Sequence, residues 1–278
     1  MTIVNHIMTR LFEVLLGPFS DWPPLLTLML WSAVIGVLMA VMFRFTSNQR
    51  AMRSVVDQIK ANLLAIKLFQ HDLAVTFQCQ LSLFRAIGLR LWYSLPPLLA
   101  MIIPVVLLLA QFGLRFECMP LTAGESVVVE VQLSSEQAWG QYSNVPLQAP
   151  SSVTVETEAL HDRQLRTIYW RLAPQDGLSF VLQWQMGDHL IEKVIAVTDR
   201  PGQLVAVSSR RPGRDWFDQI IHPGEASYPA DAPVASVDVH YVPRATRVFG
   251  YDVPWWLTLL IVSCLSAYLV RPLVKVQF

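Results

Sequence analysis

Charged residues are scarce in this chain, and their scarcity argues against an ordinary soluble protein. Of its 278 residues, 15% are charged and 53% are hydrophobic, whereas soluble globular domains carry about 25% charged residues. The formal net charge is zero, but this average hides a strong asymmetry along the chain. The composition therefore predicts a membrane protein.

Cysteine is also rare, and the few cysteines exclude a disulfide framework. Cys79, Cys118 and Cys264 make an odd number, and no two of them form a CxxC pair. We interpret all three as small packing residues, because buried thiols usually behave that way.

Catalytic motifs are absent as well. The six histidines show no HExxH or HxH spacing, and the chain has no GxSxG, P-loop or GxGxxG motif. The pairs His161-Asp162 and Asp188-His189 fall in predicted turns, where solvated side chains are the favoured interpretation. We therefore expect no enzyme, no metal and no cofactor; an outer-face enzyme that uses His161 or His189 is the weakest alternative.

Three uncharged apolar runs are long enough to cross a bilayer, which requires about 20 helical residues. No cleavage site follows the first run, so we expect it to be retained. Prolines 96, 97 and 104 predict that the second helix is bent. The predicted transmembrane helices are 25–43, 91–112 and 253–270.

The distribution of charge predicts the orientation. Segment 44–90 holds seven basic and two acidic residues, and the tail 271–278 adds Arg271 and Lys275. Segment 113–252 holds 17 acidic and 11 basic residues. Because basic loops stay in the cytoplasm, we place 44–90 and the tail inside, with the N-terminus and 113–252 outside the inner (cytoplasmic) membrane.

Both ends of segment 44–90 must reach one membrane face, so we predict a cytoplasmic helical hairpin, antiparallel and coiled-coil-like. Ser47 or Asn48 is the candidate N-cap of the first arm, and Asp72 that of the second. Apolar residues recur at three- and four-residue steps, which predicts that they zip the arms together. They are Met52, Val56, Ile59, Leu63 and Ile66 on the first arm, with Leu68 as a further candidate, and Leu73, Phe77, Leu81 and Phe84 on the second.

Segment 1–20 is too short and interrupted to span a membrane. Ile3, Ile7, Leu11 and Val14 or Leu15 share one helical face, which predicts an interfacial amphipathic helix on the outer surface.

The long segment 113–252 changes character, because short valine-rich stretches alternate at period two between turn-forming clusters. This pattern predicts an extracytoplasmic antiparallel β-sandwich. The basic loop Ser208–Trp216 contains Arg210, Arg211 and Arg214; we favour a solvated strand connection over a phosphate or acidic-partner site. The predicted strands are SVVVEVQL, SVTVETEAL, LSFVLQWQM, KVIAVTD, LVAVSS and ASVDVHYVP.

This layout resembles the core of the YidC–Oxa insertase superfamily, which includes the insertase-type subunit of the endoplasmic-reticulum membrane protein complex. The resemblance rests on the exit FRFTSNQRAMRSVVDQIKANLL, the span LWYSLPPLLAMIIPVVLLLAQF and the closing P-W-W…R-P span. The same stretches are similar to a set of uncharacterised three-pass bacterial proteins. The arginine that several insertases carry inside the membrane has only Arg44, at the predicted cytoplasmic boundary, as a counterpart.

The resemblance implies an insertase-like protein that assists insertion or assembly of hydrophobic client segments without covalent chemistry. Its implied contacts are the bilayer and hydrophobic clients, with no nucleic acid. The alternative is a non-enzymatic anchor, assembly or sensor subunit whose outer β-domain binds a partner, while the hairpin docks a cytoplasmic one. Candidate contact residues are Arg44, Arg50, Arg53, Lys60 and Lys67 in the basic segment, and the polar span residues Ser32, Gln111 and Ser263.

Overall fold

The computed structural model describes residues 2–47, 49–68, 73–200, 202–213, 215–248 and 250–274. Within these residues, a 3₁₀ turn at Gly17–Phe19 follows the first helix. The α-helices are α1 (Thr2–Leu16), α2 (Pro24–Thr46), α3 (Gln49–Leu68), α4 (Leu73–Phe116), α5 (Glu136–Tyr142), α6 (Trp216–Ile221) and α7 (Trp255–Val274). The strands are β1 (Val127–Leu133), β2 (Val153–Val155), β3 (Leu160–Asp162), β4 (Thr167–Pro174), β5 (Phe180–Met186), β6 (His189–Ile195), β7 (Arg210–Pro212), β8 (Val234–Val239), β9 (Arg247–Val248) and β10 (Tyr251–Asp252).

Three helices in the described residues are long and apolar enough to cross a membrane: α2, α4 and α7. Helices α2 and α4 contain the predicted segments 25–43 and 91–112, and α7 covers 253–270 except for its first two residues, so the chain is an α+β membrane protein as predicted. At their C-terminal ends the three helices extend beyond the predicted bounds, and their last turns contain Arg44, Arg115 and Arg271, where basic side chains interact favourably with the helix dipole.

Helix α4 is one element of 44 residues that contains Pro96, Pro97 and Pro104. The second arm of the predicted hairpin and the second predicted span are therefore parts of the same helix. At 1.5 Å per residue it is roughly 65 Å long, about twice the thickness of the bilayer core.

The predicted packing of the two hairpin arms against each other is wrong for the described side chains of the second arm. Phe77, Leu81 and Phe84 are 68%, 65% and 71% exposed, so they do not close against α3. On α3, Met52 is buried but Leu63 and Leu68 are exposed. Ser47 Oγ lies 3.0 Å from Met52 Sδ; Asn48 and Asp72, the other candidate caps, lie outside the described residues.

Helix α1 confirms the predicted N-terminal helix. Ile7, Leu11 and Val14 on the predicted apolar face are exposed, while Phe12 and Leu16 are buried. The Phe12 ring packs edge-on against Phe112 of α4, with centroids 5.7 Å apart. One side of α1 therefore belongs to the protein core, and the other presents apolar side chains to the surroundings.

The extended segment folds mainly as antiparallel sheet. A six-stranded sheet has the order β2-β4-β1-β8-β7, with β3 also paired to β4, and β5-β6 and β9-β10 form two further pairs. Alternating valines of β1 point into the core opposite β4 and β8. Trp170 of β4 and Trp184 of β5 pack in one core, with ring centroids 5.7 Å apart.

Sequence reasoning missed several elements of this region. β4, a central strand, was not predicted, although Ile168, Trp170 and Leu172 alternate in it as buried residues. The helix α5, capped by the Ser135 side chain, and the helix α6, capped by Asp215, were also missed. The stretch LVAVSS was predicted as a strand, which is wrong: residues 204–209 form no strand, and Val207 N–H instead donates to the Leu114 carbonyl.

The chain divides into two compact units. The first contains residues 1–28 and 106–257, and the second contains 29–105 and 258–278. The first unit therefore combines the sheet region with α1 and with the adjoining ends of α4 and α7. It is larger than the predicted β-domain, which comprised residues 113–252 alone.

Candidate functional site

In the second unit, the basic side chains of α3 fall on one helical face. Arg53, Lys60 and Lys67 are spaced by seven residues and are all exposed, so they follow one line along the helix. Arg44 is exposed in the last turn of α2, and the side chain of Arg50 lies outside the described ones. Within the described part of the chain, none of the four described side chains is in an ion pair.

Helix α4 carries an exposed apolar stripe in the same unit. Its members are Phe77, Leu81, Phe84, Leu91 and Leu95. The steps of three, four and seven residues place them on one face. The stripe begins in the predicted hairpin arm and continues into the predicted span without a break in the helix. It is the largest departure from the predicted zipper, and it leaves a long apolar surface open for contacts.

The candidate residues Ser32 and Ser263 lie on helices that cross closely. A Cβ atom added to Gly36 would lie 2.1 Å from the Ser263 carbonyl oxygen, so only glycine allows α2 to approach α7 at this distance. Ser32 is fully buried one turn before Gly36, and the Ser263 hydroxyl donates to the Leu260 carbonyl of its own helix. These two residues are therefore brought to one crossing.

Gln111 belongs to the first unit, so it is not part of that crossing. It is buried, and its Nε2 donates to Thr9 Oγ1 of α1 over 3.1 Å. Arg115, one turn later, is 3% exposed and donates to the Gln111 carbonyl. Arg115 lies three residues beyond the predicted span, in the last turn of α4.

The first unit also contains an apolar cavity of about 400 Å³, which sequence reasoning missed. Its walls come from the last turns of α4, the first turn of α7, helix α6 and the chain just before β7. The apolar lining includes Leu109, Leu114, Phe217, Ile221, Trp255 and Trp256. The tryptophans at a span boundary were the available signal, because such residues are enriched at the membrane interface.

The polar end of this cavity is formed by Glu117, Ser208, Ser209, Arg210 and His222. Arg210 Nε donates to Asp218 over 3.0 Å, and its Nη1 donates to Asp238 over 3.1 Å. His222 Nδ1 lies 2.8 Å from the other oxygen of Asp218. Burial lowers the pKa of Arg210 while the two aspartates raise it, and the aspartates prevail, so Arg210 is a fully charged and doubly paired cation.

A buried ion pair and its hydrogen bonds connect the cavity wall to strand β6. Lys193 of β6 is fully buried, and its Nζ donates to Glu225 Oε1 over 3.1 Å and to the Ser208 carbonyl over 2.7 Å. Burial lowers the pKa of Lys193, and Glu225 opposes that shift. The signal was present in the sequence, because Lys193 alternates in phase with the buried Ile191 and Ile195. Arg211 and Tyr228 complete the cluster through a cation–π contact of 4.3 Å.

The histidines singled out from the sequence have structural partners. His161 Nε2 lies 2.7 Å from the Ser143 carbonyl oxygen, and His189 lies 3.7 Å from the Asp231 carboxylate. Across the described ranges, no group of three or more His, Cys, Asp or Glu side chains is arranged to hold a metal ion. In the basic loop, Arg210 and Arg211 are in β7 and are bonded within the chain, and Arg214 lies outside the described residues.

Comparison with protein-family models, with curated proteins and with solved structures gives no match.

Proposed function

We propose that this protein binds hydrophobic segments of client membrane proteins and assists their insertion or assembly without covalent chemistry. The observation that carries the proposal is the apolar stripe of α4, which stays exposed along an unbroken helix from Phe77 into the span. Covering Phe77, Leu81 and Phe84 with a client helix would contribute roughly 1.5–3 kcal/mol per side chain, before the entropic costs of association. An exposed apolar surface of this extent is typical of an interaction site.

The orientation we propose follows the predicted topology. The hairpin of α3 and the first half of α4 lies in the cytoplasm, and the sheet region lies outside the inner membrane as a β-sandwich in which β5-β6 covers the larger sheet. The exposed line of Arg53, Lys60 and Lys67 then faces anionic headgroups, each basic residue contributing about 1 kcal/mol near the surface. This attraction keeps the stripe beside the bilayer, where a client segment has to enter it.

Features of the spans support the proposal further. Pro96, Pro97 and Pro104 of α4 have no backbone N–H group. In a regular helix, the carbonyl groups four residues earlier therefore lack their hydrogen-bond donors. Ser32 adds a hydroxyl to the buried crossing of α2 and α7, and the described contacts leave Thr258 Oγ1 without a hydrogen-bond partner. Such polar groups lower the free-energy cost of moving the polar flanks of a client segment into the membrane. That cost reaches about 2.5–3.5 kcal/mol for one charge at a helix centre. The insertase resemblance predicts the same division between a capturing hairpin and partly polar spans.

Site-specific photocrosslinking tests this function. A photoreactive amino acid at Leu81 lies on the stripe, whereas one at the exposed Ser82 lies about 100° away around the helix. We expect a nascent chain with an apolar segment to crosslink several-fold more strongly from position 81. Phe77→Ser combined with Phe84→Ser should reduce that adduct several-fold, and Leu89→Ser, an exposed position off the stripe, should not. Equal adducts from positions 81 and 82, or no effect of the double variant, would refute the proposal.

A second candidate is an anchor, assembly or sensor subunit whose sheet region binds a partner. The observation that favours it is an apolar outer face on β5-β6, where the cross-strand neighbours Val181 and Val194 are exposed together with Leu190. Under this hypothesis, Val181→Lys should abolish a reproducible crosslink from position 194 to one identified partner. The exposed Thr154→Lys in β2 provides the matched control. Retention of that crosslink in Val181→Lys would exclude this face as the binding surface.

A further inference from the structure

The apolar cavity of the first unit has the size and lining of a small-molecule site. Its volume of about 400 Å³ lies within the range of ligand pockets, roughly 300–1,000 Å³ with mostly apolar walls and a few polar groups. Gly113 of α4 keeps it open. A Cβ atom added to Gly113 would meet Glu117 Oε2 at 3.4 Å and Trp255 at 3.6 Å, both ordinary contact distances, so a longer side chain there would grow into the cavity between these two lining residues.

The walls of the cavity connect it to the membrane. Val106, Leu109 and Ala110 come from α4, and Trp255 and Trp256 come from α7, two helices long and apolar enough to cross a bilayer. Trp256 and Phe217 remain about half exposed. Aromatic side chains with one side in the protein and one side open are typical of the headgroup region. The molecules that reach this cavity first are therefore membrane lipids.

The polar end selects among lipid headgroups. Arg210 is already neutralised by Asp218 and Asp238, whereas Glu117 is exposed and in no ion pair within the described residues. In the neutral tautomer of His222 whose Nδ1–H donates to Asp218, Nε2 is an acceptor. Tryptophan faces favour a cation, and the carboxylate and the imidazole acceptor favour one that carries N–H donors. An anionic headgroup would meet the carboxylate of Glu117 and no uncompensated positive charge on Arg210.

We propose that this cavity binds a phospholipid with a primary ammonium headgroup, with its apolar chain between α4 and α7 and its ammonium group at Glu117 and His222. The site shares no residue with the α4 stripe, so it does not depend on client binding. Quaternary ammonium and anionic headgroups are the disfavoured competitors, because the first lacks N–H donors and the second is repelled by Glu117.

Photoreactive lipids test this assignment with the full-length protein in nanodiscs. Lipids with a chain diazirine and an ethanolamine, choline or glycerol headgroup are compared, and adducts are mapped by peptide mass spectrometry. We expect ethanolamine-lipid adducts on peptides containing residues 106–117 or 255–257, several-fold above the other two headgroups. Gly113→Leu should reduce these adducts several-fold. Gly140→Leu in α5, where an added Cβ meets nothing within 4 Å, should leave them unchanged.

A second variant separates headgroup recognition from folding. Glu117→Gln changes an exposed side chain and should remove the preference for ethanolamine while chain adducts persist. Adducts that Gly113→Leu does not reduce would overturn the cavity as a lipid site. Equal labelling by glycerol and ethanolamine lipids in the unaltered protein would overturn the headgroup assignment.

Discussion

The Ser266 hydroxyl of α7 donates a hydrogen bond to the Ala33 carbonyl of α2 over 3.0 Å. The same hydroxyl lies 2.0 Å from where a Cβ atom of Gly36 would be. The two helices therefore meet backbone to backbone, at a point where a small residue and a polar side chain combine. Contacts of this kind are the principal source of helix association in lipid, where burial of apolar surface contributes little.

The first prediction concerns this crossing. Gly36→Ala should destabilise the protein by about 1–3 kcal/mol, because the added methyl group overlaps the Ser263 carbonyl. Gly88→Ala in α4 is the control, since nothing lies within 4 Å of its added Cβ; it should be neutral or stabilising. Thermal unfolding of the purified protein in detergent measures both, and equal melting temperatures for the two variants would show that the crossing is not tight.

The second prediction concerns the buried pair Lys193–Glu225. Lys193→Met should cost about 3–5 kcal/mol, because it removes the cation that is hydrogen-bonded to the buried Glu225 carboxylate and leaves only Arg211, 3.9 Å away. Adding Glu225→Gln should recover part of the loss. Arg163→Met breaks the exposed pair Arg163–Glu136 and should cost about 1 kcal/mol or less. Denaturant unfolding followed by tryptophan fluorescence compares them, and a Lys193→Met cost no larger than that of Arg163→Met would contradict the structural role.

The third prediction follows from the environment of Cys118. Burial, followed by the charge of Glu117, raises the pKa of this thiol from 9.0 to about 11, while Arg244 opposes the shift. Only the thiolate reacts, so labelling at pH 8 should be about 100-fold slower than for a thiol with the ordinary pKa, and should rise about tenfold per pH unit up to pH 11. The rate is measured with a maleimide in Cys79→Ser/Cys264→Ser protein. A plateau below pH 10 would contradict the shift, and Glu117→Gln should move the plateau to lower pH.

The fourth prediction tests the orientation in the membrane. In protein lacking the three native cysteines, Gln58→Cys in α3 should be protected from a membrane-impermeant maleimide in intact cells. Ser151→Cys in the sheet region should be labelled, because both positions are exposed and differ in predicted side. Lysis should make position 58 reactive. The reverse pattern in intact cells would invert the proposed topology.

The sequence predicted the membrane-spanning helices better than it predicted the packing of the hairpin or the strands of the sheet region. The spans were located because an uncharged apolar run near 20 residues matches the thickness of a bilayer and rarely occurs in a soluble domain. The zipper of the hairpin was wrong because a helical stripe shows only that a face is apolar. Whether another arm, a lipid or a client covers Phe77, Leu81 and Phe84 depends on tertiary structure. In the sheet region, β4 shows the same alternation as β1 but has Ile168, Trp170 and Leu172 at buried positions where β1 has valines, so it lacked the valine-rich composition that marked β1.

The candidate site was predicted in part. The exposed basic line of α3 was readable from its seven-residue spacing, and the crossing brings Ser32 and Ser263 to one place. Gln111 was assigned to the same polar group but packs against α1. The cavity was beyond sequence reasoning, because its walls come from residues about 100 or more positions apart, such as Gly113 and Trp255, and no local pattern specifies that meeting.

Aromatic contacts within the first unit, between α1 and the end of α4, limit where this protein can be cut into fragments. Phe112 stacks on Phe116 with centroids 5.5 Å apart and also packs against Phe12. A fragment limited to 113–252 would keep one of these three rings and strip the other two from it. A fragment that begins at residue 106 and includes α1 should therefore be more stable than one cut at 113, because it keeps all three rings together.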